Sequence, residues 1–272
     1  MSSPGPDNDP KEQPEEPNAL IETHVFISTP SYHVERRPGK LVVKYGREVK
    51  NCEREALAYA SSLNLPVPRL HDDLPNPDAD GNNVCIWMDY VDGDVLEHVW
   101  PSMTAEQKVD IAKQLRDILS VMRRQKSTTG KIESCGGGEL TDLRTYSSHS
   151  GGPFPNEAAF QQWHVDSLYT QTPKDVRDAI AQGLRRYSSN HQVVFTHGDL
   201  SQRNIIVREN RIQALLDWEY AGWYPEHWEY VKFLHMASKN KDWQDYVDTI
   251  FPEKYLDELF AFEALLYHQN PW

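Results

Sequence analysis

An α+β chain of two lobes, a small strand-rich one followed by a larger and mostly helical one, is what the sequence predicts. Three observations carry that reading. β-branched runs dominate between Glu22 and Tyr90. Beyond Gly93 the apolar residues recur at helical spacing. A length of 272 residues suffices to bury a core in each lobe and leave a cleft between them. The predicted division is a tail over 1–18, an N-lobe over 19–91 and a C-lobe over 92–272.

The tail, "MSSPGPDNDPKEQPEEPN", is acidic, Pro-rich and almost free of apolar groups. It cannot bury enough surface to offset ordering, so it is expected to be disordered. "THVFIST" and "KLVVKYG" read as strands, the second entered through the Pro38-Gly39 turn. In "NCEREALAYASSL", Ala56, Tyr59, Ala60 and Leu63 share one face of a helix, which the prolines of "LPVPRL" end. "NNVCIWMDYV" reads as a further buried strand. "TAEQKVDIAKQLRDILSVMRRQ" is a long amphipathic helix, with Thr104 as N-cap and Gln107 closing a capping box. "STTGKIESCGGGELTDLRTYSSHSGGPFP" reads as a long Gly/Ser-rich loop, and loops of such length are often functional. Helices are expected over 156–168 and 173–189. "NIIVR" and "IQALLD" form a hairpin joined by "EN", and more helices close the chain, with Pro225 and Pro252 near their starts.

Lys and Arg total 28 against 41 Asp and Glu, a net charge of −13. Such a field repels phosphate, so nucleic acid and anionic membranes are not expected partners, whereas a cationic ligand would be favoured. No apolar run reaches the ~18 residues that span a bilayer, and the N-terminus has no signal-peptide pattern. Cys52, Cys85 and Cys135 form no CxxC pair. A soluble, cytoplasmic protein with reduced thiols is expected.

The chemistry concentrates in "THGDLSQRNIIVRENRIQALLDWEYAGW", Thr196 to Trp223. Asp199 and Asn204 stand five apart, and Asp217 follows at the end of the second hairpin strand. Because the hairpin doubles back, Asp217 can return to Asn204. An amide oxygen and a carboxylate are hard ligands, suited to Mg²⁺ that also holds substrate phosphates. Asp199 could then orient or deprotonate an attacking hydroxyl, the remaining need of phosphoryl transfer. In the N-lobe, Lys44 ends an apolar strand and needs a partner or an anionic ligand.

"HGDLSQRN…LLDWE" resembles the signature of the aminoglycoside phosphotransferase family, small-molecule relatives of the protein kinases, whose own pattern is H-R-D-x-x-x-x-N followed by D-F-G. The likeness spans roughly 40–240 and extends, in order, through "VVKYG", "LPVPRL", "MDYVDGDVL", "GGPF" and "YPEHWEYVK", most like fungal-type members. It implies a protein-kinase-like fold and transfer of the ATP γ-phosphate to a hydroxyl of a small molecule. By the same resemblance Asp199 would be the catalytic base, Asn204 and Asp217 the Mg²⁺ ligands, and His197 a support of the loop. Glu229 would hold that loop from below. Lys44 would contact the ATP phosphates and pair with a helix glutamate, Glu55 by register or else Glu53. The backbone of Asp89, Tyr90 and Val91 would bond the adenine edge, with Met88 behind it.

The sequence departs from the kinase pattern at the phosphate-covering loop. "STPSYHV" replaces a Gly-rich segment, and Ser28, Thr29 and Ser31 could donate hydroxyls there. A nucleotide-binding protein without turnover is the first alternative; a protein kinase is the second, opposed by HGD in place of HRD. A metal-dependent hydrolase built on His197, Asp199 and Asp217 is the third. For the acceptor, Trp218, Trp223, Tyr224 and Trp228 could stack on a sugar or a cation, with Glu219 and Glu226 suiting an amine. The same aromatic residues could equally form core.

Overall fold

β-branched residues build one antiparallel sheet from His24 to Asp89, in the order β1-β2-β3-β5-β4. Its strands are β1 (His24–Ser28), β2 (His33–Arg37), β3 (Leu41–Gly46), β4 (Leu70–His71) and β5 (Val84–Asp89). The structure, a computed structural model, describes residues 23–78, 83–143, 148–187, 191–236 and 238–269; the 1–18 tail lies outside them. β3 is central, and Lys44 faces Val34 of β2 on one side and Ile86 of β5 on the other. Helix α1 (Asn51–Ser62) buries Glu53, Ala56, Leu57 and Ala60 on one face.

The C-lobe begins with the short β6 (Asp94–Val95) and α2 (Leu96–Val99), followed by α3 (Ala105–Arg123). Both halves of the Thr104–Gln107 capping box form. α3 buries Ile111, Ala112, Leu115, Leu119 and Met122. At roughly 1.5–3 kcal/mol for each large side chain, that stripe outweighs a cap of about 1 kcal/mol. Packing therefore holds α3, and the cap sets its start.

The Gly/Ser-rich stretch is not a plain loop. It contains β7 (Glu133–Ser134), β8 (Leu140–Leu143) and β9 (Ser148–Gly151). A backbone ladder needs no apolar alternation, so the composition concealed the pairing. β8 and β9 form a hairpin, and β7 joins β13 (Gly222–Pro225), which pairs β10 (Val193–Thr196). Gly222 permits that junction, because a Cβ there would lie 2.7 Å from the Glu133 carbonyl oxygen. The hairpin is pinned from below by a buried ion pair, Asp142 Oδ1 to Lys232 Nζ at 3.0 Å, each side chain 1% exposed.

Helices α4 (Glu157–Asp166), α5 (Lys174–Tyr187), α6 (Trp228–His235), α7 (Val247–Ile250) and α8 (Leu256–Tyr267) complete the lobe. Phe160, Val165, Ile180, Trp228, Val231, Phe262 and Leu265 form its distal core. A larger core runs from α1 through α3 to Phe195, Leu215 and Trp218 and joins the two lobes. No helix among the described residues is long and apolar enough to cross a membrane.

Candidate active site

The hairpin β11 (Ile205–Arg208) and β12 (Arg211–Leu215) turns on Glu209 and Asn210, both at positive φ (51° and 59°). A two-residue turn of this hand matches the strand twist. Ile205 then faces Leu215, and the Leu216 N–H donates to the Asn204 carbonyl at 2.8 Å. Asp217 is thereby returned beside Asn204. Asp217 itself adopts φ 63°, a region that non-glycine residues occupy at a cost and chiefly at functional sites. Trp218 secures it: the indole is buried, donates to the Leu215 carbonyl at 3.0 Å and packs on His197 at 4.5 Å.

The loop ahead of the hairpin is held from both sides. Glu229 on α6 accepts the N–H groups of His197 at 2.6 Å and Gly198 at 3.1 Å. Gly198 sits at φ 83°, and a Cβ there would meet the Tyr220 carbonyl oxygen at 2.6 Å. Burial raises Glu229 to about 7, against the pull of those two amides. His197 Nε2 contacts the Leu216 carbonyl at 3.0 Å, and Nδ1 accepts the Asp199 N–H at 3.2 Å. Burial keeps this imidazole below its ordinary pKa. It is a neutral strut with both nitrogens engaged, which removes the hydrolase arrangement of His197, Asp199 and Asp217.

Asp199 is 1% exposed. Its Oδ2 accepts from Arg203 at 2.7 Å and from Asn204 Nδ2 at 3.0 Å. Its Oδ1 is buried without a hydrogen-bond partner among the described residues. Asn204 Nδ2 also donates to the Asp199 carbonyl at 3.0 Å, so the amide oxygen remains as its ligand-capable atom. Arg203 was not singled out from the sequence; its i,i+4 spacing to Asp199 was the available signal.

Lys44 links the lobes. Its Nζ lies 2.9 Å from Glu53 Oε1, 3.0 Å from Asp217 Oδ1 and 3.6 Å from Glu219 Oε2. The expected partner Glu55 is not there: it is exposed, and its carboxylate lies against Gly136. The reason is helical phase. Glu53 lies three residues before Ala56 and four before Leu57 on the buried face, whereas Glu55 is turned about 200° away. Burial would lower Lys44, but Glu53, Asp217 and Glu219 outweigh it and hold the ammonium charged. Three carboxylates share one ammonium, and burial pushes Glu53 up to about 7.

Two N–H groups of the expected adenine-binding stretch are committed: Asp89 donates to the Arg69 carbonyl at 2.9 Å and Tyr90 to that of Lys40 at 2.7 Å. The Val91 N–H donates to no described residue. The segment at the phosphate-covering position is a closed turn. Thr29 Oγ1 donates to the Tyr32 carbonyl at 2.9 Å and accepts the N–H groups of Ser31 and Tyr32. The Tyr32 ring lies 5.7 Å from Lys44 Nζ. Trp218, Tyr224 and Trp228 are core, at 1–3% exposure, and cannot form an acceptor wall. Trp223 packs on Tyr59, and Glu226 accepts the Gln192 N–H at the far end of β13.

The donor set fits a hard dication. The Asn204 amide oxygen is spare, and Glu53, Asp217 and Glu219 each present an oxygen within 4.8 Å of the others. Their surplus negative charge beside one lysine is what a divalent cation would offset.

The model of the phosphotransferase enzyme family matches residues 27–266. No curated protein matches the chain. Among solved structures, the chain is similar to the aminoglycoside phosphotransferase APH(4)-Ia, with TM-score 0.65 and 12% identity over 91% of this chain and 84% of that one. It is likewise similar to APH(2")-IIa in its ternary complex with streptomycin and ATP (TM-score 0.63, 12% identity, 93% and 88%). At such identities the likeness speaks to the fold, which is protein-kinase-like with a sheet N-lobe and a helical C-lobe. With the family model running through nearly every element described above, the chain belongs to the phosphotransferase enzyme family.

Proposed function

We propose that this phosphotransferase moves the γ-phosphate of ATP, with Mg²⁺, to a hydroxyl group of a small molecule. The observation that carries the reading is the convergence of Asp199, Asn204 and Asp217 around one hairpin, with Lys44 of the other lobe 3.0 Å from Asp217. Asn204 and Asp217 would hold the cation, which when bound offsets charge on the phosphates. Lys44 presents a fixed positive charge to the phosphate oxygens. The Val91 N–H is suited to the adenine edge. Asp199 Oδ1 takes or steers the hydroxyl proton, while Arg203 and Asn204 keep the carboxylate oriented through Oδ2.

The acceptor is inferred to be a hydroxylated, cationic small molecule. The net charge of −13 supports this, as does the binding of aminoglycosides by structurally similar proteins. An intracellular setting accords with three free cysteines. Placement among fungal-type members rests on the order of the sequence segments alone. The test is ATP turnover over a panel of hydroxylated amines, aminoglycosides and sugars, with products weighed for a gained phosphate and Asp199→Asn as control. Turnover equal in that variant would sink the assignment.

One observation favours the second reading, a nucleotide-binding protein without turnover. The Thr29–Tyr32 turn is closed on itself and sets Tyr32 near Lys44. ATP binding with no product from any panel member would support it.

A further inference from the structure

Three potential metal ligands meet away from the phosphotransfer site. Glu157 opens α4, His191 precedes β10 and His227 precedes α6. One ligand atom from each lies within 4.8 Å of the other two. His191 Nδ1 is 3.0 Å from Glu157 Oε1, and His227 Nδ1 is 3.7 Å from that same oxygen. Ligands at Zn²⁺ bond lengths in a tetrahedron stand roughly 3.4 Å apart, a value between these two separations.

His227 is the informative member. It is 8% exposed, and its Nδ1 is buried with no hydrogen bond among the described residues. A buried ring nitrogen left so is costly, and a cation between it and Glu157 would remove the cost. The second layer is already present. His191 turns its other nitrogen, Nε2, to Glu258 Oε1 at 3.2 Å, the carboxylate partner that orients metal-bound imidazoles. A cavity of about 20 Å³, lined in part by His227 and Glu258, lies beside this pair and has room for one water.

We propose that Glu157, His191 and His227 form a structural site for a divalent transition cation of the Zn²⁺ class, tying α4, β10 and α6 together. Two imidazoles and a carboxylate select such ions over Mg²⁺. Binding displaces the Nδ1 proton of His191 to solvent and leaves the Nε2 proton on the side of Glu258. Affinity therefore falls as pH is lowered. The charged and titratable groups packed around the ligands are Glu226, Glu258, Arg123, His164 and Tyr255. The carboxylates among them favour the cation; Arg123 and a protonated His164 oppose it.

The rival account is a proton alone, with an imidazolium of His191 clamped between Glu157 and Glu258. The experiment is calorimetric titration of the chelator-treated full chain with Zn²⁺, with metal content measured after desalting. Asp217→Asn is titrated in parallel, so that metal bound by the phosphotransfer site is told apart. The one equivalent bound by Asp217→Asn should bind the unmodified chain as well, raise the melting temperature of both, and be lost when His227→Asn is added to Asp217→Asn. Glu258→Gln should weaken it about 10- to 100-fold. Should His227→Asn fail to fold, imidazole nitrogen resonances of the unmodified chain decide: Zn²⁺ should shift those of His191 and His227. An equivalent that survives both His227→Asn and His191→Gln made in the Asp217→Asn chain, or no equivalent in Asp217→Asn itself, overturns the proposal, as does a titration leaving both resonances in place.

Discussion

Lys44 Nζ stands 2.9 Å from Glu53 Oε1, and the same ammonium reaches Asp217 across the cleft. A charged hydrogen bond of this kind is worth roughly 1.5–3 kcal/mol. Glu53→Gln should therefore raise the KM for ATP by about tenfold or more. Glu55→Gln, on the exposed face of the same helix, should leave it unchanged. Steady-state kinetics of the two variants separate the glutamates, and equal effects would dissolve the pairing.

Asp199 is already oriented by Arg203 and Asn204 and keeps one oxygen uncommitted. Asp199→Asn preserves the shape and removes the proposed base. The expected loss is about 10²–10⁴ in kcat, with Mg-ATP affinity nearly intact. Rapid-quench turnover beside equilibrium nucleotide binding reads both quantities.

Asp217 combines the proposed ligand role with an unfavourable backbone, φ 63°. Asp217→Gly should abolish Mg²⁺-dependent nucleotide binding. It should also relax the backbone by about 1 kcal/mol, although the Lys44 contact is lost. Calorimetry with and without Mg²⁺ checks the first effect, and undiminished Mg²⁺-dependent binding would contradict the role.

Glu229 is raised by burial to about 7. The native state then holds a proton that the unfolded chain releases near its ordinary value. Glu229's contribution is fully present below pH 4.5 and is lost as pH rises through about 7. At 1.36 kcal/mol per unit, the span is on the order of 3 kcal/mol. Between pH 4.5 and 7.5 the unfolding free energy from urea titration of the native protein should fall relative to that of Glu229→Gln by that amount, and parallel curves would refute it.

Asp142 and Lys232 form an ion pair with both side chains 1% exposed. Removing one partner strips a buried charge of this ion pair, so Asp142→Ala should cost about 3–5 kcal/mol. Replacing both by apolar residues of similar volume should recover most of that loss. Denaturation of the single and double variants measures the coupling, and additive effects would show that the pair is not the cause.

Much of the site was legible because its geometry is local. Between Asp199 and Asp217 the chain makes one hairpin with a two-residue turn, so spacing and turn chemistry bring Asn204 and Asp217 together. Strands β1, β3 and β5, helix α1, the Thr104 cap and the β11–β12 hairpin were legible for the same reason, each being written in contiguous residues, whereas β2 and β4 were not read from the sequence. The strands inside the Gly/Ser-rich stretch were not, since β7 finds its partner in β13, far along the chain.

By itself the sequence determined the order of most elements, the candidate segment from His197 to Asp217 and the chemical character of its side chains. Only the tertiary structure decided that Glu53 rather than Glu55 meets Lys44, that Trp218, Tyr224 and Trp228 are core, and that Arg203 holds Asp199. The physical reason lies in what each property depends on. A turn or a cap is settled by neighbouring dihedrals, whereas burial and charge pairing depend on how a helix is rotated against a sheet, and that rotation is set by packing among residues distant in the chain.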